Sequence, residues 1–154
     1  GLLTTGAYCD FKNDKNNGNV YGKLYNWYAV ADTRNLCPAG WHVPTDPEWT
    51  ALSTFLGGST MAGAKLKEAG STHWYGANVF GTNEVGFTAL PGDFRPSNGI
   101  IVYHLFFSAY FWTSTQASTA NGYYNWIPYS DKLLTRSSTS KKVGYSVRCI
   151  KDPI

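Results

Sequence analysis

Few side chains of this chain can carry acid–base, thiol or metal chemistry: three His, three Cys and ten carboxylates in 154 residues. His42, His73 and His104 stand apart from one another and from the cysteines, outside the spacing that holds zinc. Cys9, Cys37 and Cys149 form no C-x-x-C pair. Cys37 precedes His42 closely enough to suggest a thiol nucleophile, but the connector between them is proline-bearing and tight. No Gly-x-Ser-x-Gly elbow and no Gly-rich phosphate loop is present. A glycosidase would need two facing carboxylates. Asp46 and Glu48 are accounted for by helix capping, which leaves Glu84 and Asp93 flanking one short strand. The run Asn13-Asp14-Lys15-Asn16-Asn17-Gly18-Asn19 offers oxygens to a hard cation. Its spacing is not that of an EF-hand, Lys15 repels a cation, and an Asx-rich turn accounts for it. The residues therefore predict no enzyme, no metal and no cofactor.

Binding is the chemistry that the last third does suggest. Gln116, Asn121, Tyr123, Tyr124, Asn125, Trp126, Tyr129, Lys132 and Arg136 cluster amid Ser and Thr. Tyr and Trp give rigid contact area at low entropy cost, and amides and hydroxyls give adaptable hydrogen bonds. Aromatic planes with amide partners can also hold a sugar ring. Along Tyr123–Tyr129 both alternating faces carry aromatics. Alternation alone cannot choose the buried one, and some of these rings are expected at the surface. The competing reading is that they fill a β core.

The elements that must position these residues have clear signals. Residues 8–23 read as an Asn/Gly/Lys-rich loop, and residues 24–30 as a strand or short helix. Thr45-Asp46-Pro47-Glu48 is a capping box. The helix it opens places Trp49, Leu52, Phe55 and Leu56 on one face and ends at Gly57-Gly58. A second helix runs from about Thr60 to Ala69, with Lys65, Lys67 and Glu68 on its solvent side. Beyond it the helical period disappears. Short strands are expected over 86–92, 111–115, 123–129, 132–137 and 144–151, with a mixed apolar stretch over 100–110. Grouped helices followed by a strand-rich half predict one α+β domain over 1–154.

Composition narrows the class further. Charged residues are 15% and aromatics 16%, the reverse of a disordered chain. The net charge of +3 is too small to predict nucleic-acid binding. No apolar run reaches membrane-spanning length. The opening Gly1-Leu2-Leu3, without Met, reads as a trimmed domain. A Cys37–Cys149 bridge would close a long loop, worth about 4–5 kcal/mol in the chain-entropy account. Three reduced thiols acting as small hydrophobes are the alternative.

Five segments, in order along almost the whole chain, carry a resemblance. They are Tyr21–Val30, Leu36–Trp49, Asn83–Gly92, Phe111–Thr115 and Gly144–Cys149. The most specific is Leu36-Cys37-Pro38-Ala39-Gly40-Trp41-His42-Val43-Pro44-Thr45-Asp46-Pro47-Glu48-Trp49. The chain resembles the Fibrobacter succinogenes major paralogous domain family. That resemblance implies an exported bacterial protein, often a surface lipoprotein, of the Bacteroidetes and Fibrobacter lineages. It also implies a C-type-lectin-like fold and a Cys37–Cys149 bridge. Some relatives are binding domains whose C-terminal region is diversified by retroelements, which corresponds here to Gln116–Lys142. The Glu-Pro-Asn, Gln-Pro-Asp and Trp-Asn-Asp triplets of calcium-dependent lectins are missing. The expectation is a non-catalytic binding or adhesion module that meets a protein or glycan at a cell surface. An enzyme on a formylglycine-generating scaffold and a structural domain of a surface fibre are the alternatives.

Overall fold

The structure is a computed structural model that describes residues 3–76, 80–100 and 106–153. Strands β1 (Tyr8–Cys9) and β2 (Leu24–Tyr25) pair antiparallel. The connection between them is more ordered than its composition predicts. It holds a single turn over Phe11–Asn13 and a helix, α1 (Lys15–Tyr21). The Asp14 side chain accepts from the Asn16 amide and caps α1, so the Asn-rich run starts a helix instead of an open loop. Residues 24–30 combine both expected forms, β2 followed by the short helix α2 (Trp27–Val30), which Asn26 caps through the Ala29 amide.

Strand β3 (Trp41–His42) pairs antiparallel with β7 (Ile150–Lys151) at the end of the chain. Beside this ribbon Cys37 and Cys149 form a disulfide, while Cys9 is free. Helix α3 (Asp46–Phe55) begins with the capping box read from sequence. The Glu48 amide donates to Thr45 Oγ1 at 3.3 Å, and the Thr45 amide donates to Glu48 Oε2 at 2.7 Å. Trp49 and Leu56 are buried and Leu52 packs partly, but Phe55 is 79% exposed. At about 100° per residue Phe55 lies roughly 120° around the helix from Trp49, beyond the edge of the apolar stripe.

Helix α4 (Ser59–Leu66) stops earlier than its periodicity predicts. Lys67 is extended, because the backbone of residues 66–68 pairs with Ala89. That change of direction turns the Lys67 side chain inward, and it is 0% exposed instead of facing solvent. Its ammonium donates to the carbonyls of Pro128, Tyr129 and Asp131 at 3.3, 3.3 and 2.7 Å.

Strands β4 (Ser108–Gln116), β5 (Asn121–Pro128) and β6 (Thr135–Ser140) form an antiparallel meander. In its register Trp112 faces Tyr124, Phe111 faces Asn125, and Asn125 faces Arg136. Both faces of this sheet are covered. One carries Ala109, Phe111 and Ile127 against Trp49, Leu56 and Leu66. The other carries Trp112, with Tyr110 and Tyr124 partly buried, against Trp27, Tyr145 and the disulfide. Aromatics on both faces of β5 thus reflect a middle layer, which a two-way choice of inside and outside does not anticipate.

Close approach at two glycines allows this layering. A Cβ on Gly122 would meet Trp27 Cδ1 at 2.3 Å, and one on Gly63 would meet the Leu133 carbonyl oxygen at 2.0 Å. Two lysines fasten the hairpins. Lys67 holds the β5–β6 turn, and Lys141 holds the β4–β5 turn through Gln116 Oε1 and the Thr119 carbonyl at 2.7 and 3.1 Å.

Two expected strands are not regular strands. Residues 86–92 contribute only a bridge at Ala89, with Thr88 and Asp93 at φ 50° and 51°. Of 144–151, only β7 is a strand, and Gly144, Tyr145 and Ser146 join through single bridges. The expected 132–137 strand is shifted to β6. The mixed stretch over 100–110 lies partly outside the described residues. The class is α+β, with four helices and three small antiparallel sheets among the described residues.

Candidate functional site

Where β5 and β6 pass under α3, a cleft of about 450 Å³ opens between helix and sheet. One wall is the α3 face carrying Trp49, Thr50, Ser53 and Thr54. The other is Asn125 on β5 with Thr135 and Arg136 on β6, and Leu133 and Leu134 close one end. The register places Asn125 directly across from Arg136, so both side chains face the helix. Arg136 Nε donates to Asp46 Oδ1 at 2.6 Å, and the guanidinium lies 3.8 Å from the centre of the Tyr123 ring. The hydrogen bonds to Asp46 and Tyr123 raise the Arg136 pKa and hold it charged.

Two buried donors here are unpartnered among the described residues: Trp49 Nε1 and Asn125 Nδ2. Trp49 is 3% exposed and Asn125 4%. Buried polar atoms are nearly always hydrogen-bonded, and each unsatisfied one costs roughly 1–3 kcal/mol.

The residues expected to bind from sequence divide among four places. Tyr123, Asn125 and Arg136 meet at the α3 cleft. Tyr124 and Trp126 point to the opposite face, where Tyr124 lies 4.7 Å from Tyr145 and Trp126 stacks on Tyr110 at 6.0 Å between ring centres. Tyr129 packs edge-on against the stacked Tyr75 and Phe107 rings at 5.4 and 5.1 Å between ring centres. Gln116 and Asn121 belong to the β4–β5 turn, where the Gln116 oxygen is taken by Lys141 and Asn121 closes the turn against Ala117 and Ser118. The α3 wall was not expected, because its apolar stripe marks that helix as core. A signal existed in Thr50, Ser53 and Thr54, which the helical period sets on one face beside Trp49.

The acid–base candidates lie elsewhere. His42 bridges two carboxylates, with Nδ1 2.6 Å from Asp152 Oδ1 and Nε2 2.9 Å from Glu48 Oε1. The contacts with Asp152 and Glu48 raise its pKa. Burial pushes the Glu48 carboxyl up, but the Thr45 amide and hydroxyl and His42 outweigh it, and the net shift is downward. His73 contacts Glu68 at 2.8 Å, and His104 lies outside the described residues. Glu84 is exposed and paired with Lys65, whereas Asp93 is buried with Oδ2 unpartnered among the described residues, so the two do not share a setting. Burial pushes the Asp93 carboxyl up to about 7. Burial also raises the Cys9 thiol, the opposite of an activated nucleophile. The Asn13–Asn19 run, considered for a cation, lies within the turn and α1. No three His, Cys, Asp or Glu gather as a metal-holding group among the described residues.

Fold and site together define a disulfide-tied α+β domain with a hydroxyl-lined cleft between its third helix and its sheet. The chain belongs to the Fibrobacter succinogenes major domain family, whose profile matches residues 2–151. No curated protein and no solved structure matches it. The disulfide fits an oxidising, extracytoplasmic setting. Among the described residues no helix is long and apolar enough to cross a membrane.

Proposed function

We propose that this domain is a non-catalytic ligand-binding or adhesion module of an exported bacterial protein, displayed at the cell surface on a C-type-lectin-like scaffold. The observation that carries this reading is the α3 cleft. Three residues expected to bind converge there, around a lining rich in hydroxyls. Tyr123 and Arg136 form the accessible rim, and Asn125 is at the base. Tyr124, Trp126 and Tyr129 support the strands that present them. The enzyme alternative is disfavoured because Cys37 and Cys149 are consumed in the disulfide. The ligand is a protein or a glycan at a surface.

The test is a screen of the domain against glycan and protein panels, repeated with Arg136→Ser and Tyr123→Ser. Both variants should melt within a few degrees of the parent and lose the ligand. An empty screen, or a ligand held equally by both variants, would sink the proposal.

A further inference from the structure

Away from the α3 cleft, a second opening of about 550 Å³ lies between the end of α1, β2 and the closing segment 146–148. Arg148 lines it and is exposed. Arg34 and Arg136 each hold a carboxylate, of Asp32 and Asp46. Arg148 holds none among the described residues. Its Nη2 donates to the Phe87 and Thr88 carbonyls at 2.9 and 3.0 Å, and its guanidinium lies 4.8 Å from the centre of the Phe87 ring. Two carbonyl dipoles and a ring face orient the charge without cancelling it. Nε and Nη1 have no acceptor among the described residues. Desolvation lowers the Arg148 pKa, and no acidic group offsets it.

Backbone strain accompanies this placement. Thr88 sits at φ 50°, a left-handed geometry that a β-branched residue rarely adopts. Asn83 pins it there: the Thr88 amide donates to Asn83 Oδ1 at 2.7 Å, and Asn83 Nδ2 donates to Thr88 Oγ1 at 2.9 Å. The turn delivers two successive carbonyls to one nitrogen of Arg148. The Arg148 backbone is fixed from both sides, by the Ser146 bridge to Phe111 and by the Cys149 disulfide. A charge held in this way meets a ligand with little further ordering cost.

The remaining lining narrows the ligand. No carboxylate lines the cleft among the described residues, and Lys23, its other cation, is neutralised by Asp10. One uncompensated positive charge suits a group with one negative charge, a carboxylate or a sulfate ester. A phosphate monoester, at about −1.5 to −2, would be left partly unanswered. A neutral peptide or sugar would leave the guanidinium unanswered instead. Tyr21, Tyr25 and Ser146 add hydroxyls that can donate to the anion. The volume falls in the range of small-ligand sites and far exceeds a bare ion, and Val20 and Leu90 offer apolar wall to an organic body.

We infer that this cleft binds a small organic monoanion, a carboxylate or a sulfate ester, whose charged oxygens meet Arg148 Nε and Nη1. It is a second site and does not rest on the α3 cleft.

The test follows the Arg148 Nε–Hε resonance of the whole domain by NMR. Phenylacetate, phenyl sulfate, phenyl phosphate and neutral phenylacetamide are titrated in turn, with Arg148→Gln alongside. Phenylacetate or phenyl sulfate should shift that resonance saturably and bind about tenfold or more tightly than phenylacetamide. Arg148→Gln should remove that preference, and the parent resonance decides the matter even if the variant does not fold. Tyr123→Ser and Arg136→Ser should leave the titration unchanged, so failure here and failure at the α3 cleft are read separately. A shift that sodium chloride reproduces at equal concentration marks an adventitious ion only and overturns the inference. Equal binding of phenylacetamide, a preference for phenyl phosphate, a response to acidic peptides alone, or no shift at all each overturns it too.

Discussion

The two faces of the central sheet are built from the same residue types and handle their polar atoms differently. On the disulfide side the buried indoles are satisfied over long range: Trp27 donates to the Thr113 carbonyl at 3.0 Å and Trp112 to the Tyr25 carbonyl at 2.7 Å. Tyr110 and Tyr145 stack there at 4.9 Å between ring centres. On the α3 side Trp49 stacks on Phe111 at 5.7 Å, equally well packed, yet its indole N–H has no acceptor among the described residues. Packing therefore does not separate the two faces in this molecule. The partnering of their buried indole N–H groups does.

The strongest way to break this contrast is to truncate both faces. Trp112→Ala should cost about 3–5 kcal/mol, since it opens a cavity in a fully buried site and gives up the bond to the Tyr25 carbonyl. Conservative replacement sharpens the comparison: Trp112→Phe gives up one bond to a carbonyl that keeps the Tyr145 amide and should cost about 1 kcal/mol, whereas Trp49→Phe gives up none and should cost less. Equal shifts in denaturant midpoint would show that the faces do not differ.

Next in size is a pH effect on the disulfide side. The folded-state pKa of Asp93 is raised to about 7 by burial, so folded chains hold its proton more tightly than unfolded ones. Stability from this group is full below its ordinary value and falls as pH rises to about 7, by on the order of a few kcal/mol. Asp93→Asn should flatten that slope in midpoint-versus-pH measurements. His42 acts in the same direction at higher pH. Its pKa is raised, so its contribution is full below about 6.5 and is lost as pH climbs through the folded-state value. His42→Gln should remove only that upper part of the decline.

The smallest effect is at the helix that walls the cleft. Thr45→Ala removes the acceptor of the Glu48 amide and should cost on the order of 1 kcal/mol by denaturant melts. If it leaves the midpoint unchanged, the capping box contributes nothing.

What was legible in the sequence was local. The α3 start could be read because Thr45 and Glu48 complete each other within one turn. Lys67 was misread because the end of α4 is decided by pairing with Ala89, far along the chain, and periodicity carries no trace of that partner. The bridge was open on residue grounds, and the family resemblance pointed to Cys37 and Cys149. Asn125 and Arg136 could be named as candidates, but Trp49 could not, since an indole's missing acceptor exists only in three dimensions. The inside of β5 was unreadable for a related reason: a strand covered on both faces has no single inside.

The disulfide also has a mechanical meaning. Cys37 and Cys149 are 112 positions apart, so tension drawn through the two chain ends crosses from one sulfur to the other and bypasses everything between. Helix α3, strands β4 to β6 and the cleft they enclose all lie within the bypassed loop. A pull can unravel β1, α1 and α2, yet the covalent path offers it no way to stretch the cleft.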